Sequence, residues 1–458
     1  MSETLADESA HDAAVMEDWS QLISFRPDHV VRPRSMDELK AALERIHRGE
    51  VGQGRARVPG SLHSCAQIVA SDVILDISAL PRTVEFEPGD AAVVASANVT
   101  LHEFLAALGR RGKSVSATGG PDHQTLAGLI STGTAPASSR HALYELLEWV
   151  ELVSVDATTG RAVERRIARG DDDFPAVVCS LGLLGVLTRV RFRLVDERHF
   201  AVVMKVVDID DVLADLDATA ARYDFWRVNL VPDSTKALLW AATGIPRDES
   251  EPDGDYSEDQ SEQILDAIFK VLDKLAGEGP LLSEPLELVY KVMARTYDER
   301  TFTGPLRNML PVDRRAALRV AMAEWSFRPQ DLHRVLGECE QFFGKHRWPN
   351  IPTEVELTRV DGSYMSAWNW HGLPYIAKLN FMYLAEVCTE PEEKAAILTH
   401  LRGLWEHLER AGIPFKAHWG KINFIDAEFA RRNHDVDRFL PLVSPMFVNR
   451  YLEERLPC

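Results

Sequence analysis

Apolar and polar residues follow two periods along this chain, and the places where one gives way to the other mark its elements. The run VVRPRSMDELKAALERIHRG opens on two β-branched residues and turns at Pro33. It then sets Leu39, Ala42, Leu43 and Ile46 at helical spacing, which predicts a short strand followed by an amphipathic helix. Ser35 stands three residues before Glu38, the spacing of a capping box that starts such a helix. Strand-like runs follow at residues 55–60, 72–77 and 91–97, and TLHEFLAALGRRG after them reads as a helix. Short strands with few helices predict an α+β layer.

The pattern then breaks. Residues 114–140 are rich in Gly, Ser and Thr yet lie between apolar segments. A surface loop is one reading, and backbone wrapped closely around a large ligand is the other. ELLEWVELVSVDATTG reads as a helix end and a strand into a turn, and residues 177–195 as a glycine-broken apolar segment entering an alternating strand, with Gly182 and Gly185 three apart. From about residue 196 the character changes. An acidic stretch at 247–262 reads as a solvated loop, and apolar residues at 264, 265, 268, 271, 272 and 275 predict an amphipathic helix after it. TEVELTRV and YIAKLNFMYLAE are strand-like, and EKAAILTHLRGLWEHLERAG is helical. No internal repeat is visible.

Composition narrows the class. At 458 residues with 45% hydrophobic content, the chain supports two or three domains with their own cores. No run of eighteen apolar residues predicts a membrane span, and the acidic, polar N-terminus does not read as a secretory signal. Cys65, Cys179, Cys339, Cys388 and Cys458 form no CxxC pair and no metal-finger spacing, so a cytoplasmic protein with free thiols and no metal is expected. A net charge of −19 argues against nucleic acid or an anionic membrane as partner.

The candidate chemistry sits at opposite ends of the chain. In RVPGSLHSC, residues 57–65, Gly60 permits close backbone approach to a ligand, and such a turn can cradle phosphate. His63 lies inside it, and its ring nitrogen is a nucleophile. In KAHWGK, residues 416–421, Lys421 follows a Trp-Gly turn. On TEVEL, alternation puts Glu354, Glu356 and Thr358 on one face and Val355 and Leu357 on the other. Two buried carboxylates at i and i+2 repel, so one is raised in pKa and able to act as a general base. The alternative is that one points to water or pairs with a lysine such as Lys378.

Taken in order, VVRPRSMDEL, GSLHS, DHQTLAG, SLGLLGV at 180–186, TEVEL, HWGK at 418–421 and FVNRYLEERL at 447–456 resemble the vanillyl-alcohol oxidase family of flavoproteins, and within it the alditol and L-gulono-1,4-lactone oxidase branch. The resemblance covers nearly the whole chain from about residue 18. It implies an α+β fold with a two-lobed PCMH-type FAD-binding domain, residues 1–195 with the returning segment 416–458. A substrate or cap domain, 196–415, would carry an antiparallel sheet flanked by helices. It implies FAD bound covalently through His63, with Pro59, Gly60, Ser61, Leu62 and Ser64 around the pyrophosphate. Thr118, Gly119, Asp122, Thr125, Leu126, Gly128, Thr132 and Gly133 from the second loop, Gly182, Gly185 and Val186 from the third, and His418 and Asn449 near the C-terminus would complete the cofactor site. Lys421, Glu354, Glu356 and Thr125 are the implied catalytic residues, with Glu354 handling the substrate proton.

The chain departs from the family pattern at three places. Glu356 stands where arginine is expected, Ala135 and Pro136 replace a His-Gly pair, and Leu379 replaces a histidine on the neighbouring strand. The expected function is an FAD-dependent oxidoreductase that takes a hydride from a hydroxyl-bearing carbon of a small molecule, reoxidised by O2 or another acceptor. The lost contacts also admit a natural-product tailoring enzyme acting on a larger substrate, with oxidative decarboxylation, or a flavin-binding protein with a degenerate site.

Overall fold

The computed structural model describes residues 7–8, 14–249, 291–292, 294–309, 319–346, 348–384 and 391–456. Past three two-residue strands near the N-terminus, β1 (His29–Val31) runs parallel to β2 (Val73–Leu75), and α1 (Met36–His47) lies between them in sequence. The Ser35 side chain accepts from the Glu38 amide, and Leu39, Ala42, Leu43 and Ile46 are buried as their spacing predicts. Glu38 does not return the bond to Ser35; its carboxylate accepts from the Arg34 amide instead. The expected strand at 55–60 reduces to one bridge between Arg57 and Ile74.

Five antiparallel strands follow in the order β6-β5-β7-β4-β3: β3 (Val84–Phe86), β4 (Ala92–Ser96), β5 (Leu147–Val155), β6 (Ala162–Ala168) and β7 (Val186–Arg193). α2 (Leu101–Gly109) starts at a complete capping box between Thr100 and Glu103. The Gly/Ser/Thr-rich segment 114–140 is not loop throughout. It contains α3 (Leu126–Thr132), whose N-cap is Thr125 and whose C-cap Gly133 is left-handed at φ 73°. Seven residues with a serine, a threonine and a glycine gave too short a period to stand out.

The second half is dominated by one antiparallel sheet of eight strands, ordered β11-β8-β10-β9-β13-β14-β12-β15. Its members are β8 (His199–Asp208), β9 (Phe225–Leu230), β10 (Lys236–Ile245), β11 (Arg300–Pro305), β12 (Val320–Phe327), β13 (Ile351–Arg359), β14 (Tyr375–Leu384) and β15 (Lys416–Ala417). Two helices, α4 (Leu332–His346) and α5 (Pro391–Arg410), cover one face. There Trp325 of β12 packs edge-on against Trp405 of α5, and Phe381 of β14 meets Phe343 of α4. Alternation turns the next residues of the same strands to the opposite face. The helix expected over 263–277 and nearly all of the acidic stretch lie outside the described residues.

The C-terminal segment returns to the first half. The buried Arg57 guanidinium donates to the carbonyls of Phe447 and Leu181, and the Ala56 amide to Met446. Among the described residues no helix is long and apolar enough to cross a membrane.

Candidate active site

The uncovered face of the eight-stranded sheet and the glycine-rich segments of the first half enclose a cavity of about 620 Å³. One wall is largely backbone. Its turn, residues 58–64, passes through Leu62 at φ 55°, a left-handed conformation that a non-glycine residue adopts only where neighbours enforce it. The enforcement is visible: the Leu62 carbonyl accepts from the Trp19 amide at 2.8 Å, and Ser61 Oγ donates to the His123 carbonyl at 2.6 Å. A Cβ on Gly60 would sit 2.7 Å from Thr125 Oγ1. The turn and the start of α3 therefore approach as only glycine allows.

His63 points into this cavity between Trp19 and His123, with ring centroids at 5.1 and 3.7 Å. Burial, with His123 and Lys421 adding positive charge, lowers its pKa to about 3, so the ring is neutral at physiological pH. Its Nε2 is buried with no hydrogen-bond partner among the described residues.

The two motifs that lie more than 350 residues apart meet here. The Cys65 amide donates to the Gly420 carbonyl at 2.9 Å, and the His418 amide to Glu324 of β12. Trp419 is fully buried and anchors the turn through Nε1 to the Met365 carbonyl. Burial lowers His418 to about 4, against the pull of Glu324 and with the push of Lys421 and Lys378. Its Nδ1 accepts from the Gly420 amide at 2.9 Å. Lys421 lines the cavity and makes no ion pair among the described residues.

The other wall is side chain. Glu354 accepts from Asn380 at 2.8 Å and from Asn229 at 3.4 Å, and Arg227 Nη1 lies 3.4 Å away. Glu356 stands opposite Lys378 in register. Lys378 Nζ reaches Glu356 Oε2 at 2.5 Å and Glu324 Oε1 at 2.8 Å. Burial would raise Glu324, but the Lys378 ammonium, with His418 and Lys421 beyond it, overrides this and holds it down at about 2. In Glu356 burial wins over Lys378, and repulsion by Glu354 and Glu324 adds to it, so the carboxyl is pushed up to about 8.

Most of the residues singled out in the sequence line this cavity: Pro59, Gly60, Ser61, Leu62, His63, Ser64, Thr118, Thr125, Gly128, Thr132, Gly182, Gly185, Val186, His418, Glu354, Glu356 and Lys421. Gly119, Asp122, Leu126, Gly133 and Asn449 lie behind the wall. Leu126 is in the core, Asp122 meets His102 at 2.7 Å, and Gly119 and Gly133 give room to Thr134 and Cys179. Asn449 donates to the carbonyls of Gln67, Ile68 and Ala70, shaping the stretch beside Ile68 that lines the cavity. Thr125 Oγ1 accepts from the Gly128 amide at 3.1 Å as the cap of α3, which leaves its O–H as a donor at the cavity wall.

One substitution is corrected. Leu379 does not stand at a site position, because it is wholly buried toward α4 and α5. Its neighbours Lys378 and Asn380 face the cavity. Sequence reasoning also missed Glu324, Arg227, Asn229 and Arg57. The signal was present for three of them and for Lys378 and Asn380: polar residues set singly or at i, i+2 in apolar strands, as in FWRVNL, VAMAEWSF and YIAKLNF.

Comparison with known proteins agrees with this geometry. Residues 27–162 match the family described as FAD binding domain, and the cradle described above, glycine-tight and facing a neutral buried histidine, fits that cofactor. Residues 190–454 match D-arabinono-1,4-lactone oxidase. The chain is thus an FAD-binding flavoprotein, and it belongs to the D-arabinono-1,4-lactone oxidase family. A long-chain alcohol oxidase from an uncultured marine euryarchaeote is 33% identical over 196 residues, 42% of this chain and 40% of that protein. D-arabinono-1,4-lactone oxidase of Kluyveromyces lactis is 27% identical over 250 residues, 52% and 46%. L-gulonolactone oxidase of Scyliorhinus torazame is 23% identical over 227 residues, 49% and 50%. The chain spans half or less of the length of these relatives. Cholesterol oxidase from B. sterolicum shares the fold, with a TM-score of 0.74 at 15% identity over 99% of this chain and 98% of that one.

Proposed function

We propose that this protein is an FAD-dependent oxidoreductase that oxidises a hydroxyl-bearing carbon of a small molecule of the lactone or alcohol class, with O2 or another acceptor taking the electrons. The observation that carries this reading is the gathering of His63, Lys421 and Glu354 in one cavity. Residues 1–195 with 416–458 form the cofactor lobe and 196–415 the substrate lobe. The buried free thiols of Cys65, Cys179 and Cys339 suit a cytoplasmic setting.

When bound, FAD supplies the hydride acceptor. The residues of the chain do the rest. The 58–64 turn, with the segments near Thr118, Gly128 and Gly182, holds the cofactor. His63, neutral and with a free Nε2, is its covalent anchor. Glu354 takes the hydroxyl proton, oriented by Asn380 and Asn229. Lys421 offers a fixed positive charge to the oxygen as it becomes negative.

Lys378 and Asn380 bear on the alternatives. Lys378 holds Glu356 in the lining and Asn380 adds an amide beside it, so the wall keeps polar groups where the arginine and histidine are missing. That supports a hydroxyl-rich substrate over a larger one coupled to decarboxylation, and a working site over a degenerate one.

Mixing the FAD-loaded protein anaerobically with D-arabinono-1,4-lactone, L-gulonolactone and long-chain alcohols tests the reading. Bleaching of the flavin absorbance by one of them is expected, and an unchanged spectrum with all three classes overturns it. Acid denaturation tests the anchor separately. Flavin should stay with the wild-type band on a gel and leave that of His63→Ala.

A further inference from the structure

The sheet wall carries three carboxyls, Glu324, Glu354 and Glu356, all buried. Arg227 of β9 lies beside Glu354. Lys378 of β14 is shared by the other two, and its ring neighbour is Trp368, with Nζ 5.3 Å from the centroid. The Lys421 ammonium acts on Glu324 from the 418–421 turn, where His418 is neutral. From the opposite wall comes the Ala135 carbonyl, 3.5 Å from Lys378 Nζ.

An ammonium has three N–H donors. Lys378 has three oxygen neighbours in Glu324, Glu356 and Ala135, so its ammonium is held inside the wall rather than offered to a ligand. It is a clamp that ties the 134–137 segment to the sheet. One ammonium also cannot neutralise two buried carboxylates, and an uncompensated buried charge takes up a proton instead. Of the two, Glu324 also has the Lys421 ammonium near it, whereas the further neighbours of Glu356 are the carboxyls of Glu354 and Glu324. The proton therefore belongs on Glu356.

We propose that Glu356 meets the ligand as a hydrogen-bond donor, a carboxyl that keeps its proton at neutral pH, and that Lys378 is the positioning residue that fixes it. The inference deepens the functional reading above and rests on it for the nature of the ligand. The rise of Glu356 to about 8 agrees with the geometry. Asn380 Oδ1, buried with no hydrogen-bond partner among the described residues, lies on the adjacent strand as a companion acceptor. The wall thus offers a donor and an acceptor to neighbouring hydroxyls.

Infrared spectroscopy of the full FAD-loaded chain tests this. A protonated-carboxyl C=O band should be present at about pH 6, fade toward about pH 10 and be missing from Glu356→Gln. Adding D-arabinono-1,4-lactone under anaerobic conditions should shift that band in the wild type. In turnover, Glu356→Gln, which still donates through its amide, should keep KM within about threefold and lose its pH dependence. Glu356→Ala should raise KM about tenfold, the loss of one buried hydrogen bond. A band that persists in Glu356→Gln, a band that ignores the lactone, or equal KM values for the Gln and Ala variants overturns the proposal. A flavin that no lactone or alcohol bleaches, with the band behaving as expected against pH, instead counts against the functional reading.

Discussion

The two walls of the cavity are built on opposite principles. The cofactor wall is backbone drawn tight: Gly60 against Thr125, Leu62 forced into a left-handed turn, Gly185 at φ 143° with Val153 behind it. The sheet wall is a ladder of charged and amide side chains from four neighbouring strands, each facing its partner across the register: Asn229 to Glu354, Glu354 to Asn380, Glu356 to Lys378. The first wall is intolerant of volume and indifferent to charge. The second is tolerant of volume and intolerant of any unpaired charge. A change on the second wall therefore calls for a matching partner, as Glu356 facing Lys378 illustrates.

Mutations on the two sides sharpen this contrast. Lys378→Met should have the largest effect, because it strands two buried carboxyls. A loss of about 3–5 kcal/mol in stability is expected by denaturant unfolding, and a loss under about 1 kcal/mol would show that the ladder does not depend on its pairs. Lys421→Met should fold normally yet slow anaerobic flavin reduction about a hundred- to a thousandfold, roughly 3–4 kcal/mol of barrier. A stopped-flow rate within about threefold of wild type removes it from the chemistry.

On the backbone wall, a Cβ at Gly185 would lie 2.7 Å from the Val153 carbonyl. Gly185→Ala should cost about 1–3 kcal/mol in thermal unfolding through overpacking and strain, with less flavin incorporated per chain by absorbance. Thr125→Ala removes only the cap of α3 and should cost about 1 kcal/mol in thermal unfolding without abolishing turnover. A collapse of turnover with stability intact would give Thr125 a part in the chemistry beyond the cap.

The smallest effect is on pH dependence. Glu356 binds its proton more tightly folded, near 8, than at its ordinary 4.5. Its stabilising contribution is therefore fully present below 4.5, declines as pH rises through the interval and is gone above about 8. Urea midpoints should fall across this window more steeply in the wild type than in Glu356→Gln, and parallel curves would place the proton elsewhere.

Local chemistry alone determined much of this protein. The cap at Ser35, the stripe of α1, the strands at 353–359 and 375–384 and the last long helix depend on residues within a few positions of one another, and the sequence displays them. The common face of Glu354 and Glu356 followed from the two-residue period in the same way. What the sequence could not decide was which strand lies beside which. Lys378 becomes the partner of Glu356, and Leu379 a core residue, only because β14 pairs with β13 in one register, and a shift by one residue would exchange their faces. Glu324 and Arg227 enter the site from strands distant in the chain, and Arg57 binds segments separated by more than a hundred residues. Such contacts form when buried charges find partners across the fold, so the sequence could offer Lys378 as one possible partner of this carboxylate pair, and only the tertiary structure decided that it meets Glu356 and Glu324 together.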